Sequence, residues 1–113
     1  MKTNDVVNCL AALAQESRLG IYRLLVQAGP DGMAAGAIAE KLGLPPATLS
    51  FHLKELSRAG LATSRQDGRF VIYSANFDVM LKLVGFLTEN CCGGNSCAPE
   101  CKPQITVAQG ENQ

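Results

Sequence analysis

The stretch PATLSFHLKELSRAGLATSRQDGRFVIYS, residues 46–74, decides the fold. Leu49, Leu53 and Leu56 recur at helical spacing. Advancing about 100° per residue from Leu49 places Ala47, Phe51, Lys54 and Arg58 on the opposite face, with Thr48 and Ser50 flanking. Pro46 suits a first helical turn, where no backbone donor is needed, and Ala59-Gly60 ends the pattern. Leu61 to Gln66 and Arg69 to Ser74 are then β-prone runs around Asp67-Gly68, the pair that a two-residue type I′ turn favours. A helix with an exposed aromatic and two cations is thus followed by a hairpin with Arg65 and Arg69 near its tip.

Working outward, Val6, Leu10 and Leu13 mark a first amphipathic helix after a cap at Thr3 or Asn4. Ile21, Leu24, Leu25 and Ala28 mark a second, from Ser17 to Gly29. Gly29-Pro30-Asp31-Gly32 is a loop, and Ile38, Ala39 and Leu42 mark a short third helix stopped near Gly43. Downstream of the hairpin, Phe77, Met80, Leu81, Val84 and Leu87 form an apolar stripe that Val79, Leu83 and Phe86 widen. The predicted fold is α+β and mainly helical: four helices, a two-stranded hairpin and a fifth helix, in the arrangement of a winged helix-turn-helix. A major groove would take Ala47, Thr48, Ser50, Phe51, Lys54 and Arg58, and the phosphate backbone or minor groove would take Arg65 and Arg69 on the wing. The last helix is apolar over more than one core contact requires, which predicts a homodimer through the terminal helices.

The 113 residues carry no net charge, but the charge is unevenly spread. Residues 45–75 hold Lys54, Arg58, Arg65 and Arg69 against Glu55 and Asp67, whereas residues 76–113 are acidic. A local basic surface suffices for phosphate contacts and predicts a modest salt dependence. No stretch approaches the roughly 18 apolar residues of a membrane span. Met1-Lys2-Thr3-Asn4-Asp5 leads into an amphipathic pattern rather than a secretory h-region, so the expectation is a cytoplasmic protein with reduced thiols.

Four of the five cysteines crowd into residues 91–101, as Cys91, Cys92, Cys97 and Cys101. Such density points to a soft-metal or metalloid site or to disulfides, and a chain of this length does not need disulfide staples. Gly93, Gly94, Asn95 and Ser96 supply a turn that lets Cys97 fold back onto the vicinal pair. Cys9 lies on the apolar stripe of the first helix, where a lone cysteine is usually a small buried hydrophobe. His52 sits about 60° from the Leu49 direction, where packing or hydrogen bonding competes with a base contact. The expected organisation is a DNA-binding and dimerisation domain over 1–92, a cysteine-rich segment over 91–101 and a disordered tail over 102–113.

The chain resembles the ArsR/SmtB family of metal-responsive repressors. The segments that carry the resemblance are Ser17 to Leu25, Ile38 to Leu44 leading into Thr48 to Leu56, and Ala59-Gly60-Leu61 through Gly68 to Tyr73. The resemblance implies a homodimeric repressor that occupies a palindromic, double-stranded operator and leaves it when an inducer binds. Arsenic-responsive members of one branch carry a Cys-x-Cys pair in the helix before the recognition helix, but Ala37 to Leu44 has no cysteine here. The vicinal pair after the last helix is similar to the C-terminal arsenite site of another branch. That likeness implies As(III), with Sb(III) sharing its chemistry, held by Cys91, Cys92 and Cys97, with Cys101 a fourth candidate. Trivalent arsenic favours a pyramid of three thiolates. Four sulfurs keep zinc or cadmium open as the alternative, and so does thiol redox chemistry. An enzyme such as a thiol-dependent arsenate reductase fits less well. No Cys-x5-Arg loop is present, and a helix C-terminus disfavours a nucleophilic thiolate.

Overall fold

The computed structural model describes residues 1–94; Cys97, Cys101 and the predicted disordered tail lie outside the described residues. Helices α1 (Thr3–Leu13) and α2 (Glu16–Ala28) come first, then a short strand β1 (Met33–Ala34). Helices α3 (Ala35–Leu42) and α4 (Pro46–Arg58), strands β2 (Ala62–Asp67) and β3 (Phe70–Ala75), and helix α5 (Phe77–Leu87) follow. The predicted winged helix-turn-helix is present, with α3 and α4 packed together and β2–β3 as the wing.

One core joins the elements. Val6 and Cys9 of α1, Ile21, Tyr22 and Leu25 of α2, Ile38 of α3, the three α4 leucines and Leu83 of α5 are all buried in it. Two apolar faces differ from expectation. On α1 the core takes Val6 and Cys9, one turn apart, while Leu10 points outward beside Val7. On α5 the inward residue is Leu83, flanked by Val79 and Phe86, and Leu81 and Leu87 of the expected main stripe are exposed. When a helix is apolar all round, spacing alone does not say which side meets the core. The first cap also shifts: α1 starts at Thr3, and the Asp5 carboxylate accepts the Lys2 N–H at 3.3 Å.

The sheet has three strands rather than two, in the order β1-β3-β2. β1 pairs antiparallel with β3, Met33 opposite Tyr73 and Ala34 opposite Ile72. Two residues are too few to leave a period-two signal, so the strand escapes detection from sequence. The hairpin turn also moves by one residue. Asp67 faces Phe70, so Gly68 and Arg69 form the loop. Gly68 has φ 63° while Arg69 does not have positive φ, which matches type II′ rather than the type I′ that Asp67-Gly68 suggests.

The α2–β1 loop is stapled to the wing. Ser74 Oγ donates to the Pro30 carbonyl at 3.2 Å, and Arg65 Nη2 donates to the Asp31 carbonyl at 3.0 Å. Gly32 makes this approach possible: its φ is 74°, and a Cβ there would run into the Tyr73 carbonyl and the Ser74 hydroxyl. Gly32→Ala therefore meets strain and collision together and should cost more than about 1 kcal/mol, lowering Tm by roughly 5 °C or more. Gly20→Ala, in α2 with open space around it, should be neutral or stabilising. Equal melting temperatures for the two variants would contradict this account of the loop.

Candidate nucleic-acid interface and cysteine turn

Helix α4 is entered through a tight turn. Gly43 closes α3 in the left-handed region at φ 66°, and Leu44 N–H returns to the Ala39 carbonyl at 3.0 Å. Pro45 caps α4 in an extended conformation and Pro46 fills its first position, which requires no N–H. At the other end Leu61 N–H reaches the Leu56 carbonyl at 2.9 Å around Gly60, the six-to-one bond of a Schellman closure. Between these ends Leu49, Leu53 and Leu56 are at most 2 % exposed. Ala47, Thr48, Ser50, Phe51, Lys54 and Arg58 are all exposed, as the spacing predicts, and Phe51 retains 56 % of its surface. Arg58 is paired with Glu55 at 2.9 Å, which offsets its charge at the far end of the helix.

The wing arginines differ in their freedom. Arg69 stands exposed in the turn at the tip, whereas the Arg65 guanidinium is engaged by the Asp31 carbonyl. Phe70, next to Arg69 and 62 % exposed, is an aromatic at the tip that sequence reasoning missed. The one signal for it was its place at the end of the turn, two residues past Gly68.

Two residues set aside from sequence are inside. His52 is buried, and its Nδ1 lies 3.3 Å from Arg18 Nη1. A guanidinium only donates, so Nδ1 accepts and the imidazole proton sits on Nε2. The Cys9 thiol donates to the Ala59 carbonyl at 3.4 Å. Burial pushes its pKa up, with the Asp5 carboxylate adding to the shift. Tyr22 is shifted the same way by burial and then by Cys9; its hydroxyl has no hydrogen-bond partner among the described residues. Both groups are held protonated. Their contribution to stability is therefore intact at neutral pH and is lost as pH rises through the range where the unfolded thiol and phenol ionise.

The vicinal cysteines do not sit on the end of α5, as the apolar stripe suggests. The helix stops at Leu87, and the Thr88 hydroxyl turns back to the Val84 carbonyl at 2.9 Å. Asn90 follows at φ 55°, then a 3-10 turn over Cys91–Gly94 with Cys92 at φ 58°. The turn is held by Cys91 N–H to the Thr88 carbonyl and Gly93 N–H to the Asn90 carbonyl. Both cysteines are exposed, and their sulfurs lie 3.7 Å apart. Bonds of about 2.3 Å to one soft centre allow sulfurs up to roughly 4.6 Å apart, so the pair can grip a single ion. Among the described residues, no three His, Cys, Asp or Glu side chains gather as a metal-holding group.

Tight α3–α4 turn, outward polar face on α4 and basic wing define a winged helix-turn-helix regulator. A helix-turn-helix domain family matches residues 13–65. The nodulation protein NolR of Rhizobium meliloti is 38 % identical over 96 residues, covering 85 % of this chain and 75 % of NolR. An ArsR-like transcriptional regulator from Rhodococcus sp. RHA1 superposes with a TM-score of 0.70 at 25 % identity, covering 80 % of this chain and 83 % of that one. The homodimeric winged helix-turn-helix DNA-binding domain of Mb0332 from Mycobacterium bovis, described as a possible ArsR-family regulator, gives 0.63 at 28 % identity over 84 % and 88 %. The chain belongs to the ArsR family of transcriptional regulators. Among the described residues no helix is long and apolar enough to cross a membrane.

Cys9, protonated and enclosed, should resist iodoacetamide in the native reduced protein at neutral pH and be alkylated only on unfolding. Mass spectrometry of the labelled peptides checks this, and equal labelling of native and urea-unfolded protein would contradict it.

Proposed function

We propose that the chain is a homodimeric repressor that binds a palindromic, double-stranded operator and releases it when As(III) binds the thiolates of Cys91, Cys92 and Cys97. The observation that carries the reading is the cysteine turn, two sulfurs 3.7 Å apart immediately beyond α5. Soft thiolates select a soft centre, and Sb(III) shares that preference.

Dimerisation is supported by the homodimeric relative and by apolar side chains that α1 and α5 leave uncovered: Val7, Leu10, Leu81 and Leu87. A second copy covers this surface. Operator contact falls to Thr48, Ser50, Phe51 and Lys54 in the major groove and to Arg69 at the wing tip, with Arg65 shared between the wing and the α2–β1 loop. Two recognition helices must meet half-sites about 34 to 36 Å apart, so a small rotation between subunits misplaces both at once. Drawing the thiolates around one inducer reshapes the turn that Thr88 to Asn90 tie to α5, and α5 belongs to the dimer surface. Inducer and operator then compete through subunit orientation rather than for one face. Cys101 as a fourth ligand would shift the site toward zinc or cadmium.

The test is fluorescence anisotropy of a labelled duplex from directly upstream of the gene, with reduced protein challenged separately by arsenite and zinc. Wild type should bind and be released by arsenite, and Cys92→Ser should bind equally well and ignore it. Lys54→Ala should weaken binding and lower the salt slope by about 1. Release by zinc alone would reassign the inducer, and absence of binding would contradict the operator role.

A further inference from the structure

We propose that Arg18 is a positioning residue that links α1 to the DNA-reading helix α4, acting through His52; this rests on the reading of α4 as the operator-contacting helix. Arg18 lies in the first turn of α2, where the helix dipole opposes a cation. Its backbone N–H is taken by the Gln15 side chain at 2.8 Å, and its own side chain leaves α2 altogether. Nε donates to the Ala12 carbonyl at 2.7 Å. That carbonyl is one of the last four of α1, which have no helical partner and carry the negative end of the α1 dipole. Nη1 donates to His52 Nδ1 at 3.3 Å. One planar guanidinium therefore holds the end of α1 and a ring of α4 in fixed relation, which a flexible ammonium does not do.

α1 and α4 also meet in the core, where the Cys9 thiol donates to the Ala59 carbonyl, and the space between them opens to the surface beside Arg18. A groove of about 400 Å³, lined by Asn8, Ala11, Ala12, Arg18, Glu55 and Arg58, runs between them. The Arg18 side chain lines that groove and bonds to both helices beside it. On the α4 side the link continues outward: the His52 ring meets Phe51 edge-on with centroids 5.6 Å apart, and Phe51 is the exposed aromatic of the reading face. On the α1 side, Val7 and Leu10 face the second subunit in the proposed dimer. Movement of α1 against its partner thus reaches Phe51 through Ala12, Arg18 and His52.

Three substitutions separate positioning from simple support. His52→Asn keeps an acceptor where Nδ1 stands, and His52→Gln moves it one bond farther out. Arg18→Lys keeps the charge and loses the fork. Against the upstream duplex, Arg18→Lys and His52→Gln should each bind about tenfold more weakly, within the usual range for coupled sites, and the double variant no more weakly than either. His52→Asn should bind within about threefold of wild type, and sedimentation should show dimers throughout. Equal losses for His52→Asn and His52→Gln, additive losses in the double variant, or wild-type affinity in Arg18→Lys would overturn the proposal. Should Arg18→Lys fail to fold, the Asn–Gln comparison alone decides. Wild type that does not prefer the upstream duplex over a random one would remove the operator role of α4, and this proposal with it.

Discussion

Burial of Leu49, Leu53 and Leu56 is the constraint on which the rest depends. Each is worth about 1.5 to 3 kcal/mol when taken from water, so together they rival the 5 to 15 kcal/mol that holds a whole domain. No rotation of α4 keeps all three inside and turns a different face out. Thr48, Ser50, Phe51 and Lys54 are outward because the leucines are inward, and the left-handed Gly43 and the Pro45–Pro46 entry hold the helix at that angle. The surface offered to DNA is thus a consequence of the core.

The helix-turn-helix was legible from sequence because its signals are local and redundant: leucine spacing, the proline entry, the glycine closure and a turn pair between β-prone runs. Features set by tertiary context were not. Choosing between Val6–Cys9 and Leu10 on α1, or between Leu83 and Leu81 on α5, depends on neighbours that spacing does not reveal. β1 exists because Gly32 lets the loop close against β3. The one-residue shift of the hairpin turn likewise follows from pairing Asp67 with Phe70. Arg18 carries no distinguishing signal in the sequence, and only the fold brings it within reach of Ala12 and His52.

The geometry of the cysteine segment was not legible in the sequence. Density and softness of the ligands pointed to a thiolate site, yet the helix stops before the pair, and positive φ at Asn90 and Cys92 presents both sulfurs on a separate turn. Non-glycine residues in that region are costly, and such outliers gather at ligand clamps. Thr88 to Asn90 connect the turn to α5, and the proposed coupling runs through this connection to the helix exposing Leu81 and Leu87. Cys9 has a separate role. Enclosed, protonated and bonded to Ala59, it helps seat α1 against the end of α4.

The central claim is that the cysteine turn and the DNA-reading face are coupled through the arrangement of two subunits. Coupling of this kind is reciprocal: a hundredfold loss of operator affinity caused by arsenite corresponds to about 2.7 kcal/mol, and operator must weaken arsenite binding by the same factor. The decisive measurement is the arsenite affinity of the reduced protein, determined with and without saturating operator duplex in one buffer. The account predicts weaker arsenite binding in the presence of operator, by the factor with which arsenite weakens DNA binding; equal affinities would contradict it.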